Sequence, residues 1–212
     1  MVLRTFGRFG TPALAALALS CAPATAAAAP GDAAVAKLLP LGSTVETRVD
    51  GDVTGDGLAD TIVVTVKDDD RRLIVLGAGP RGLARIGETA MDPSPLGSAQ
   101  LRITKGVLIV EDLTGGTTAI ASLYRWRFDP AVRKMRLIGD DVSLYSRTWM
   151  HDGLDVSSNR ITGMRITTRQ LLRGRGDKAS YVPSKPVGKV ISRDPIYMGD
   201  EPAPEKTLGM GL

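Results

Sequence analysis

From Thr44 onward the chain reads as short apolar runs broken by polar turns, and the three-to-four-residue spacing of an amphipathic helix is scarce. Residues 61–67 (TIVVTVK) are continuous and rich in β-branched side chains, the pattern of a strand covered on both faces. The polar turn Asp68-Asp69-Asp70 separates them from residues 72–76 (RLIVL), so the two predict a hairpin. Residues 101–103 and 107–111 flank Lys105-Gly106, a second hairpin signal. In Tyr124-Arg125-Trp126-Arg127-Phe128 the aromatics fall on one face and the arginines on the other, as in a half-buried strand. Asp129-Pro130 opens a turn into residues 135–138. Residues 142–146 and 154–157 continue the meander about a turn at His151-Asp152-Gly153, and residues 161–167 predict a further strand interrupted by a glycine.

Two segments fall outside this pattern. Residues 33–39 give a turn or two of helix before Pro40 stops it. Pro and Gly are frequent from Pro183 onward, and there only residues 195–198 (PIYM) read as ordered, as an edge strand. The fold class expected is therefore all-β: an antiparallel meander, sandwich-like or strongly curved, over residues 29–182, with an irregular tail over 183–212. No internal repeat of fixed period divides it.

The amino terminus has a different character. Arg4 and Arg8 supply positive charge, residues 13–19 (ALAALAL) form a short apolar run, and residues 24–28 offer small-x-small cleavage sites. Those three parts make a secretory signal peptide over residues 1–28, largely helical, too short in its apolar part to span a bilayer. The expected location is periplasmic or secreted. Cys21, the single cysteine, offers a second reading as the lipidated residue of a lipoprotein signal, although Ala18-Leu19-Ser20 before it fits that pattern poorly. In either case the body holds no disulfide, so its stability outside the cell rests on packing or metal.

Composition narrows the function classes. The formal net charge of +4 includes Arg4 and Arg8, so the mature chain is nearly balanced, and no nucleic-acid partner is expected. Aromatic residues are only 4% of the chain, which limits stacking platforms of the kind that bind sugars or bases. No stretch after the signal is long and apolar enough to be a transmembrane span.

One constellation carries chemistry. In Asp52-Val53-Thr54-Gly55-Asp56-Gly57-Leu58-Ala59-Asp60, side-chain oxygens recur at loop positions 1, 3, 5 and 9, glycine stands at position 6, and Leu58 at position 7 would present its carbonyl. This is the ligand rhythm of a calcium loop, and it makes Asp52, Thr54, Asp56, Leu58 and Asp60 candidate ligands of a structural calcium ion. Thr54 is a weaker ligand than Asp or Asn, and Val63 stands where an EF-hand has its bidentate glutamate. The same residues also suit a metal-free turn rich in Asp and Gly. Because a strand follows, the loop resembles the calcium loops of integrin-type FG-GAP repeats. Residues 49–64, together with 72–76 and 135–165, are similar to a group of uncharacterised exported bacterial proteins that carry one such loop. That resemblance implies an exported β domain with a structural calcium loop and implies no enzymatic activity.

The remaining candidates are weaker. His151 is the only histidine, which excludes multi-histidine zinc sites and most nucleophile–histidine schemes, and its setting is a turn. The adjacent pairs Asp140-Asp141 and Glu111-Asp112 lie on strands, so their members point to opposite faces and form no acid/base dyad. Residues 165–178 are basic, and Arg165, Arg169, Arg173 and Arg175 could contact a polyanion, but a solvated face or loop is the simpler reading. Arg175-Gly176-Asp177 is too short a motif to carry weight, and Gly115-Gly116-Thr117-Thr118 lacks the following helix that a phosphate loop needs. The function expected is an exported, calcium-stabilised domain that binds an envelope component or polysaccharide. The alternative is an envelope hydrolase using dispersed carboxylates.

Overall fold

The computed structural model describes residues 28–210. The signal segment with Cys21 lies outside the described residues. Two antiparallel sheets account for the fold. The smaller holds β1 (Thr44–Gly51), β2 (Asp60–Lys67), β3 (Asp70–Gly77) and β4 (Ala84–Met91), in that order. The larger begins with β5 (Gln100–Thr104), β6 (Val107–Gly115), β7 (Thr118–Asp129) and β8 (Lys134–Ser146). It continues with β9 (Gly153–Asn159), β10 (Met164–Arg173) and β11 (Ser180–Pro183), each beside its predecessor, while β12 (Val187–Val190) pairs with the first half of β10. The meander expected from the sequence is present, split between two packed layers.

The continuous apolar run of β2 is explained by cover on both sides. Ile62 and Val64, with Leu73 and Val75 of β3, meet Leu108, Val110, Trp126, Met135 and Leu137 of the large sheet. On the opposite face Val63, Ile74 and Leu76 are sealed by Val35 of α1 (Asp32–Ala36) and by Leu38, Leu39 and Leu83. Six consecutive positions of β2 are thereby buried, so alternation never shows in its sequence.

A bulge sets the second half of the large sheet. Arg125 pairs with Gly139 but Trp126 pairs with Leu137, which leaves Ile138 as an extra residue on β8. The slip turns Asp140 and Val142 to the same inner face as Met135 and Leu137. That inner face carries the main core at one end and a smaller cluster of Val142, Val156 and Leu208 at the other.

Two expectations need correction. The strand expected at 161–167 starts at Met164 and runs to Arg173, because Gly163 (φ +69°) belongs to the turn before it. The Asn159 side chain accepts from the Ile161 and Thr162 amides in that turn, at 3.0 and 2.9 Å. The basic stretch expected as a solvated face or loop lies mostly on β10, with Arg169, Arg173 and Arg175 exposed. The C-terminal segment, expected to be irregular, holds β12 and the short helix α2 (Pro204–Leu208). Residues 195–198 do lie along a strand: the Leu137 amide donates to the Ile196 carbonyl and the Met198 amide to the Met135 carbonyl, both at 2.9 Å. Ile196 and Met198 join the main core, and Leu208 of α2 joins the smaller one.

The sheets are also joined by charge. Arg71 of β3 is 2% exposed. Its guanidinium donates to both oxygens of Glu46 on β1 (2.7 and 2.9 Å) and both of Asp112 on β6 (2.8 and 3.0 Å). Glu46 accepts in addition from the Ala99 amide at 2.7 Å. This buried cluster ties both layers to the segment leading into β5.

Candidate metal loop and the outer sheet face

Residues 52–60 connect the edge strand β1 to β2, so the acidic glycine loop sits at the end of the small sheet where β3 finishes. Asp60 opens β2 and is fully buried. Its Oδ2 accepts from the Val53 and Thr54 amides at 2.8 and 2.9 Å, and its Oδ1 accepts from the Ala78 amide at 2.8 Å. One carboxylate thus fastens the start of the loop to its own end and to the end of β3. Asp52 gathers the next turn, accepting from Gly55 N at 2.6 Å and Gly57 N at 2.9 Å. Both glycines have left-handed backbones, φ +80° and +82°, which only glycine adopts without strain. Asp56 accepts from the Leu58 amide at 2.9 Å, and Val53 is buried in the main core as the anchor of the loop.

The donor set suits a hard cation. Carboxylates of Asp52, Asp56 and Asp60, the Thr54 hydroxyl and the Leu58 carbonyl are all oxygens on one nine-residue turn. Their arrangement is that of a loop closed by its own amides. Asp52 and Thr54 approach each other to 3.5 Å, whereas Asp60 faces the amides of Val53, Thr54 and Ala78. Among the described residues no three His, Cys, Asp or Glu side chains are grouped to hold a metal ion.

The other candidates separate as strand geometry requires. Asp140 faces inward, buried against Arg160, while Asp141 faces outward to Arg125 at 2.7 Å. Asp112 faces inward to Arg71, and Glu111 outward to Arg102 at 2.8 Å. A hollow of about 290 Å³ between the sheets is bordered by Tyr124, Asp112, Glu201 and Glu205. Of its four carboxylates, Asp112 is held by Arg71, Glu201 accepts from the Gly199 amide and Asp92 from the Ser94 amide, both at 2.7 Å, so among the described residues only Glu205 lacks a donor. Burial first, and then the negative charge of Asp140, holds the Tyr124 phenol well above its ordinary range. It stays protonated and donates to the Pro202 carbonyl at 2.9 Å, tying the C-terminal segment down.

Three of the four arginines share one side of β10, but only Arg169 and Arg173 are exposed there. Arg165 lies half-buried in a row that crosses the sheet through Tyr124, Asp140 and Ser158, and it donates to the Ser158 hydroxyl at 3.1 Å. Arg169 and Arg173 follow on the same side of β10 and are exposed, and Arg175 precedes a single 3-10 turn at Gly176–Lys178. The glycines at 115–116 make the β6–β7 hairpin: a Cβ on Gly115 (φ +88°) would stand 2.4 Å from the Thr118 carbonyl oxygen. His151 bridges elements too. Its Nδ1 lies 2.6 Å from the Asp152 carbonyl, which can only accept, so Nδ1 donates there, and Nε2 lies 2.8 Å from the Thr118 hydroxyl.

Sequence reasoning missed one feature of the large sheet's outer face. Two adjoining hollows of about 720 and 670 Å³ share Ala121, Ser143 and Tyr145. They form a shallow trough across β6, β7, β8 and β9. Trp149 and Tyr181 stand together at one end, ring centroids 5.2 Å apart. Their positions in sequence give no sign of this, because β8, the loop after it and β11 supply one aromatic each.

Fold and site define the class: an all-β protein of two packed antiparallel sheets, with one acidic glycine loop and an open trough on its larger sheet. Compared with family models, with curated proteins and with solved structures, the chain matches none. Among the described residues no helix is long and apolar enough to cross a membrane.

Proposed function

We propose that this chain is an exported binding protein that holds envelope material on the outer face of its large sheet, with calcium in the 52–60 loop as a structural staple. The observation that carries the reading is the state of the carboxylates in the trough. Glu111 is paired with Arg102, Asp141 with Arg125 and the Ser157 hydroxyl, and Asp155 with Gln170. A glycosidase needs one carboxylic acid kept free to protonate the leaving group and a second carboxylate across the substrate. Carboxylates already matched to donors serve instead as fixed acceptors for a ligand, which favours a binder over a hydrolase.

Export is supported by the three-part signal at residues 1–28 and by the lack of any cysteine after Cys21. Calcium is supported by the all-oxygen donor set and by the left-handed glycines that wind the loop around Asp52. Asp52, Thr54, Asp56, the Leu58 carbonyl and Asp60 would hold the ion, and its chemistry there is charge neutralisation and fastening of the β1–β2 connection.

Co-sedimentation tests the function. The mature protein is expected to pellet with purified peptidoglycan sacculi or with envelope polysaccharide at physiological salt, and to release no reducing ends on overnight incubation. Retention by neither material would overturn the binding reading, and release of reducing ends would restore the hydrolase.

A further inference from the structure

The trough runs across the strands, not along them, and its floor is made of small side chains. Ala121 and Ser143 are cross-strand partners at its centre, and Gly153 on β9 lets Gln170 pack closely over it, where a Cβ would stand 3.1 Å from the Gln170 Cβ. Backbone groups of β7, β8 and β9 are used in the ladders on both sides, so an occupant can be read only by side chains. A peptide pairing as an added strand needs a free edge, and β7, β8 and β9 offer none; the sheet's edge strands, β5 and β11, lie at the two ends of the trough.

Its aromatic end is built to stay in place. Trp149 is 44% exposed, yet the loop that carries it is pinned on three sides. The Arg147 amide donates to the Thr117 carbonyl at 2.8 Å, and His151 meets the Thr118 hydroxyl. The Tyr181 hydroxyl accepts from the Ser146 amide and donates to the His151 carbonyl, both at 2.9 Å. Trp149 also has φ +57°. The other non-glycine residues with positive φ (Asp68, Lys105 and Arg133) all lie in turns between paired strands, where that backbone is common. Trp149 too lies between paired strands, in the longer loop 147–152 that joins β8 to β9, and a bulky aromatic is rare in the left-handed region and is held there by its surroundings.

Charge decides what the trough accepts. Glu111 and Asp141 are offset by Arg102 and Arg125, and Asp155, bonded to the Gln170 amide, shares its hollow with Arg147, so the lining is polar but nearly neutral. Such a surface has no net attraction for a polyanion or a polycation. It suits a chain of hydroxyl groups, each able to donate to a carboxylate and to accept from an amide or guanidinium. An aromatic face beside these groups packs against the apolar C–H face of a pyranose ring.

We infer that the trough, with Trp149, Tyr145 and Tyr181 at one end and Asp141, Asp155 and Gln170 along it, is a binding site for a neutral oligosaccharide chain. This rests on the binding reading above and names the ligand class for the same face. It also revises what low aromatic content implies, because one of the two tryptophans and two of the four tyrosines are gathered here.

Titration calorimetry with two probes tests the inference: the β-1,4-linked hexasaccharides of glucose and of N-acetylglucosamine. At least one is expected to bind, with less than a threefold change in affinity between low and high salt. Trp149→Ala should weaken that binding at least tenfold while leaving the melting temperature within about 2 °C of wild type. Tyr181→Phe, which keeps the ring but frees the loop, should weaken it less. The inference is overturned if neither probe binds, if Trp149→Ala binds as wild type, or if salt abolishes binding. It is also overturned if the protein instead takes up phosphatidylcholine vesicles through Trp149 and Met150. Retention by sacculi that neither hexasaccharide displaces would end the saccharide assignment and leave the broader binding reading standing. Loss of sacculus binding as well would end both.

Discussion

Arg71→Met is expected to lower the unfolding free energy by about 4 kcal/mol and the melting temperature by about 10 °C. The reason is what the substitution leaves behind. Glu46 and Asp112 lie on different sheets, both largely buried, and both spend their oxygens on the one guanidinium. Without it two carboxylates face each other's field in a low-dielectric interior, with only the Ala99 amide remaining to Glu46. Replacing all three side chains by apolar residues of similar volume should recover most of the loss, because no charge is then stranded. Chemical denaturation of the single and triple variants measures both effects. A single variant within 1 kcal/mol of wild type would contradict the role assigned to Arg71.

The same cluster sets an acid limit. The Arg71 hydrogen bonds hold the Glu46 carboxyl below its ordinary value of 4.5, outweighing the opposing effect of burial. A carboxyl that binds protons less readily folded than unfolded stabilises the protein above the unfolded value and loses that contribution as pH falls through the folded one. Wild-type stability should therefore drop as pH falls below about 4.5, and Arg71→Met should show a shallower drop over the same range. Parallel slopes would place the acid sensitivity elsewhere.

The second large effect is expected at Asp60. Asp60→Ala leaves the Val53, Thr54 and Ala78 amides without their acceptor, at a cost of about 4 kcal/mol. Water can reach Thr54 and Ala78, so the loss falls short of three full penalties, but Val53 is 3% exposed and has no such recourse. Asp56→Ala should cost less than about 1 kcal/mol in metal-free buffer, since it gives up only a short turn around an exposed residue. Equal losses at the two positions would show that Asp60 is not the anchor.

How much of this was legible in the sequence follows from range. The β2–β3 hairpin and its buried character could be read because each depends on a local run of residues. The acidic loop was legible as a pattern, but the division of labour within it was not. Nothing in the spacing separates Asp60, which closes the loop through amides, from Asp56, which faces solvent. Strand β4 went unread because it offers few apolar side chains. Its packing depends on a side chain that is absent: a Cβ on Gly87 would come within 2.7 Å of Met198 and 3.1 Å of Met135. The C-terminal segment was underestimated for a related reason. Ile196, Met198 and Leu208 have no local pattern, and their order comes from strands far away in sequence. The bulge at Ile138, which turns Asp140 inward to Arg160, likewise has no sequence signature.

Scanning calorimetry of the mature protein in calcium and in chelator tests most directly whether the 52–60 loop is a calcium staple. For an ion bound with the affinity of extracellular modules, about 10 mM calcium should add about 2 kcal/mol and raise the melting temperature by about 5 °C. Magnesium at the same concentration should do much less. Asp56→Ala should melt close to wild type in chelator and show no rise with calcium. Identical melting of the wild type in calcium and chelator, or an undiminished rise in Asp56→Ala, would contradict the staple and leave the loop closed by its own amides alone.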